Sequence, residues 1–149
     1  MIKQHTDLLR TIKFRGKRKK TGEWVYGYYA LFENVHVILK PDNWYMDVAV
    51  IPETVGQITG LKDQRGTEIY EGDILKCQFC DYSRKHYDIP EHIIKVKGKV
   101  RYSSSGTFVV DVWIGGSIPL GFNFGNWPQT TIEVIGNIHD NPELLEAKK

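Results

Sequence analysis

Cys77-Gln-Phe-Cys80, with His86 and His92 a short way downstream, supplies the side chains best suited to hold a metal ion. Two thiolates and two imidazoles would complete a tetrahedral zinc site. The spacing argues otherwise: five residues separate Cys80 from His86, against roughly 12 in a zinc finger. The cysteines also end a strand-like run, where side chains two apart share a face and those three apart do not. The preferred reading is a pair of reduced thiols, with no metal and no other cofactor expected. Glu68, Glu71 and Asp73, with Asp63 upstream, form a second cluster that could bind a divalent ion or share acid–base work. Because Gly66 and Gly72 punctuate this stretch, the simpler role for these carboxylates is to accept backbone N–H groups in turns. The serines at 103 to 105 lack the glycines of a nucleophile elbow. Neither a P-loop nor a GxGxxG following a strand is present. Catalysis is not expected.

Cations and aromatic rings offer a different chemistry. Arg15, Lys17, Arg18, Lys19 and Lys20 form a dense basic run. Read as a hairpin tip, it either contacts phosphates with salt-sensitive affinity or is a solvated turn. Lys95, Lys97, Lys99 and Arg101 alternate with Val96, Gly98, Val100 and Tyr102. On a strand this places four cations on one face at intervals of about 6.6 Å, a spacing that can follow a nucleic-acid backbone. The commoner use of such a face is solvation, or lysine protection of a sheet edge. Phe122, Phe124 and Trp127, interleaved with glycine, could stack bases, although aromatic rings more often pack a core or interface. Trp24, Tyr26, Tyr28 and Tyr29 carry the same two readings, and an exposed cluster would also suit a subunit interface and hence a homo-oligomer.

The elements that must position these groups read as strands. Glu23 to Leu31, Val35 to Leu39 and Tyr45 to Ile51 are rich in aromatic and β-branched residues, the last two separated by turn chemistry at 40 to 44. Ile69 to Phe79 is a further strand. Ile93 to Tyr102 and Thr107 to Ile114 flank a Ser-Ser-Ser-Gly turn, and the second places Phe108, Val110, Val112 and Ile114 on one face with Val109, Asp111 and Trp113 on the other. Thr131 to His139 is the last. A positive φ is expected at Gly66, and Gly72 should start the strand that Asp73 leads into. Helix is confined to a turn at Pro52 to Val55 and about two turns over residues 141–146, where Asn141 is placed as N-cap and Pro142 at the first helical position. The fold class is all-β: a single barrel-like or sandwich domain with a short C-terminal helix.

Bulk properties agree. At 149 residues, 41% apolar and 26% charged, the chain can bury a core without disulfides or metal. No apolar run approaches the roughly 20 residues of a membrane span, and the N-terminus has no secretion-signal character. Two cysteines fit a reducing cytoplasm. The net charge of +2 conceals an asymmetry: the first twenty residues hold eight Lys/Arg against Asp7, and the remainder holds 12 basic and 17 acidic side chains. Positive potential is thus concentrated near one end.

Three blocks carry a family resemblance. Ile12-Lys-Phe-Arg-Gly-Lys-Arg18 with Thr21-Gly-Glu-Trp-Val-Tyr-Gly-Tyr28, then Pro52 to Lys76, then Glu133-Val-Ile-Gly-Asn-Ile-His-Asp-Asn-Pro-Glu-Leu-Leu145, resemble in order and spacing the signature of the YopX family. Gly98-Lys-Val-Arg-Tyr102 fits a central strand of that pattern. The resemblance implies a β domain over 12–146, preceded by an extension at 1–11 and followed by a tail at 147–149. It also implies a phage or prophage accessory protein, in the cytoplasm of a bacterial host, with no established activity. A non-enzymatic role through a host or phage protein partner follows, with nucleic acid as the alternative partner and no membrane.

Overall fold

The computed structural model describes residues 12–80, 93–112, 117–119 and 131–146. The chain divides into two compact units, Met1–Gly60 and Leu61–Lys149. In the first, β1 (Phe14–Lys17), β2 (Trp24–Phe32), β3 (Val35–Lys40), β4 (Asn43–Ala49) and β5 (Gly56–Lys62) line up in the order β4-β3-β2-β1-β5. Phe32 pairs with Val35, so the β2–β3 loop is two residues long. Its residues, Glu33 and Asn34, have φ of 45° and 68°, the type I′ geometry that matches strand twist. Behind β1, a 3₁₀ turn at Pro52–Thr54 is pinned by Thr54, whose Oγ1 accepts the Lys17 N–H at 2.8 Å and donates to the Ile51 carbonyl at 2.7 Å. Val25, Ile38 and Val50 form the core of this unit, with Phe14, Tyr29, Val48 and Val55 against them.

β5 runs past Gly60 into the second unit, where β6 (Glu68–Tyr70) is its hydrogen-bonded neighbour. Gly66 closes the intervening turn with φ of 84°, and Gly72, φ 81°, turns the chain from β6 into β7 (Asp73–Cys80). Both use a backbone region that a Cβ disfavours. The single strand expected at 69 to 79 is therefore two. β8 (Ile93–Tyr102), β9 (Phe108–Val112), β10 (Ser117–Pro119) and β11 (Thr131–Asn137) complete a sheet ordered β10-β9-β8-β7-β11. Its core gathers Leu75, Cys77, Val96, Val100, Phe108 and Val110 with Ile69 of β6.

The all-β class holds, as two antiparallel sheets. Neither closes on itself among the described residues, which excludes the closed barrel there. The expected C-terminal helix is a 3₁₀ turn, Pro142–Leu145. Asn141 does not cap it. Its Oδ1 instead accepts the Asn137 N–H at 3.4 Å, so the side chain secures the turn leaving β11. Among the described residues no helix is long and apolar enough to cross a membrane.

Candidate functional site

Pairing in the second sheet brings together cations that the sequence leaves apart. Cys77 lies opposite Val96, and Leu75 opposite Gly98. These four are buried, so they face the core. The intervening positions must point the other way, and Lys76, Lys95, Lys97 and Lys99 are all exposed. Lys76 lies directly opposite Lys97, and Gln78 opposite Lys95. Like charges in directly opposed strand positions, with Cβ atoms about 4.5–5.5 Å apart, are destabilising.

Among the described residues, two carboxylates stand on this face, and each is held by an arginine. Glu133, opposite Lys76 on β11, accepts from Arg65 at 2.7 Å. Asp111, opposite Lys99 on β9, accepts from Arg101 Nε at 2.5 Å. Among the described residues, neither pair includes one of the four lysines. The face is thus a cationic surface with its acids already engaged, the arrangement that attracts polyanions.

The other predicted positions resolve differently. The alternation of Lys95, Lys97, Lys99 and Arg101 is as expected, but Arg101 is tied to Asp111. The basic run at 15 to 20 is not one hairpin tip. Arg15 and Lys17 belong to β1, opposite Tyr26 and Trp24, and Arg15 is 7% exposed. Its guanidinium lies 4.7 Å from the centre of the Trp24 ring, and Lys17 Nζ lies 5.4 Å from it, both in cation–π range. Arg18 bridges to Val50, leaving Lys19 and Lys20 exposed in the turn before β2. Phe122, Phe124 and Trp127 lie outside the described residues, as do His86 and His92.

Cys77 is 2% exposed within the core cluster, and burial pushes its thiol up to about 11. A metal ligand must be the thiolate, so this cysteine is poorly suited to zinc. Nor do the described residues contain a group of three or more His, Cys, Asp or Glu able to hold a metal. The carboxylates of the acidic cluster accept local structural hydrogen bonds, most of them from the backbone. Buried Asp73 accepts the Tyr70 N–H at 2.8 Å, Glu71 the Tyr102 N–H at 3.1 Å and Glu68 the Tyr70 hydroxyl at 2.9 Å. Asp63 accepts three N–H groups, from Arg65, Thr67 and Val134.

Lys76 was not among the residues expected to contribute. It lies in the run Ile74-Leu-Lys-Cys-Gln78, where apolar residues flank it closely, and only strand register reveals that it faces Lys97.

These features define an antiparallel two-sheet β protein with a lysine-rich sheet face. Residues 13–146 match the family described as YopX protein, and the chain belongs to that family. A search of the curated proteins finds no match. Among solved structures, the chain is similar to the crystal structure of protein EF1440 from Enterococcus faecalis, at 26% identity and a TM-score of 0.50. That likeness covers 93% of this chain and 100% of the other.

Proposed function

We propose that this is a phage- or prophage-encoded accessory protein of the bacterial cytoplasm that works by binding, and that its ligand is nucleic acid. The observation that carries the reading is the Lys76–Lys97 opposition on a face that also presents Lys95 and Lys99. Opposed like charges cost stability, and departures of that kind concentrate where a ligand supplies the compensation. Phosphates would do so, releasing counterions as they are neutralised. Binding is preferred over catalysis because Asp63 and Asp73 are buried and accept backbone N–H groups.

Fluorescence-anisotropy titrations with single- and double-stranded oligonucleotides at two salt concentrations test this. Binding that weakens steeply with salt is expected. Absence of a signal from both forms at low ionic strength would remove the reading.

Self-association is a second reading, favoured by Leu31, Phe32 and Val35, which stand exposed beside the β2–β3 turn. An apolar tip of this kind suits burial against another copy. Light scattering would find a dimer or larger species, and a strict monomer at high concentration would exclude it.

A further inference from the structure

The outer stripe of the first sheet has a composition that neither the core nor the lysine face explains. Trp24, Tyr26 and Tyr28 occupy alternate positions of β2 and so share one face. Tyr26 and Tyr28 are 46% and 42% exposed. Beside them on β1, Arg15 lies opposite Tyr26 and Lys17 opposite Trp24, so both cations stand on that same face. Trp24 anchors them by cation–π contact. Arg15 is buried, which fixes its charge in place, whereas Lys17 is partly exposed.

We infer that this stripe is a base-stacking subsite for single-stranded nucleic acid, with Tyr26 and Tyr28 as the stacking rings and Lys17 as a phosphate contact. The inference rests on the proposal that the protein binds nucleic acid, and adds which form it takes. Alternate residues of a strand are spaced about 6.6–6.8 Å along its backbone, which sets the interval between the points from which the two exposed rings rise. That is roughly twice the 3.4 Å advance per nucleotide along one strand of a duplex. A paired, stacked strand cannot present successive bases at that interval, but an extended single strand can. Flanking positive charge favours a polyanion carrying flat rings over an apolar partner surface, and every base has a face on which a tyrosine can stack. The combination needs no sequence-specific hydrogen bonds, so little sequence preference is expected.

The full-length protein should be titrated with a labelled single strand of about 20 nucleotides and with the duplex of the same sequence. Wild-type protein, Tyr26→Ala/Tyr28→Ala and Tyr26→Phe/Tyr28→Phe would be compared. The wild type should prefer the single strand at least tenfold, and the alanine pair should lose tenfold or more of single-strand affinity with duplex affinity unchanged. The phenylalanine pair, which keeps the rings, should retain the wild-type preference. As a readout independent of substitution, a strand carrying 2-aminopurine should change in emission when the wild type stacks on it. Single-strand affinity of the alanine pair within twofold of wild type, or unchanged 2-aminopurine emission on binding, would overturn the subsite while leaving the lysine face standing. Conversion of an oligomer to a monomer by the alanine pair, with strand binding intact, would overturn it in favour of a self-contact. If neither form binds wild type at low salt, the nucleic-acid reading fails and the subsite falls with it.

Discussion

Asp63 organises the turn between β5 and β6 by accepting the N–H groups of Arg65 at 2.8 Å and Thr67 at 2.9 Å, and it reaches Val134 on β11 at 3.1 Å. Burial alone would raise its pKa. The N–H groups of Val134, Thr67 and Arg65, with the Thr67 hydroxyl, outweigh that and hold the carboxyl below its ordinary value. A depressed native pKa means the stabilisation is present above the unfolded-state value of about 3.9 and is lost as pH falls through the native one. Asp63→Ala should therefore lower stability by about 2–3 kcal/mol at neutral pH, since hydrogen bonds to a charged group are the strong ones. Asp63→Asn should flatten the loss of stability below about pH 4. Urea midpoints measured across pH check both, and an Asp63→Ala midpoint equal to wild type would contradict the assigned role. Cys77 makes the opposite case, because burial keeps its thiol neutral up to about pH 11. In a Cys80→Ser background, a thiol reagent at pH 8 should modify Cys77 only on unfolding. Its contribution to stability should be complete below the unfolded thiol value of about 8.5 and decline as pH rises above it. Rapid native-state labelling would show that the residue is not in the core.

Within the elements, two glycines sit where strands come close. A Cβ on Gly98 would lie 2.4 Å from the Asp111 carbonyl oxygen, and one on Gly27 would lie 2.0 Å from that of Leu39. Gly98→Ala should cost about 1–3 kcal/mol through overpacking, read as a lower urea midpoint, and it should disturb the register that sets the lysine face. The β2–β3 loop should respond the other way. Glu33 holds a left-handed conformation that costs a non-glycine residue roughly 1–2 kcal/mol. Glu33→Asn with Asn34→Gly, the residues a type I′ turn prefers, should thus raise Tm. Runs of aromatic and β-branched residues made β2 and β3 legible in the sequence, alternation made β8 and β9 so, and Gly66 betrayed its turn, whereas the turn at Gly72 went unread and merged β6 with β7. β1 and β5 gave no such signal. Phe14-Arg-Gly-Lys17 is half cationic, and Gly56-Gln-Ile-Thr-Gly-Leu-Lys62 carries two glycines, so both depend on neighbouring strands rather than on their own pattern. The C-terminal segment misled because Pro142 and an acidic residue suit a helix start, whereas Asn141 is committed to Asn137.

For the molecule as a whole, the sequence showed where positive charge is dense but not which charges share a surface. Four cations alternating on β8 could be read directly. That Lys76 joins them, that Arg101 is claimed by Asp111 and that Arg15 is buried all depend on pairing across strands, which residues distant in sequence decide. The central claim is that Lys76, Lys95, Lys97 and Lys99 bind phosphates together. It is tested most directly by the slope of log K against log salt concentration, compared between wild type and Lys76→Gln/Lys95→Gln/Lys97→Gln/Lys99→Gln. Each phosphate contact contributes about −0.9 to that slope on duplex DNA and about −0.7 on a single strand. The variant should therefore lose about 3 to 4 units of slope on duplex and about 3 on a single strand, with the fold intact by circular dichroism. A variant that binds with the wild-type slope would contradict the claim.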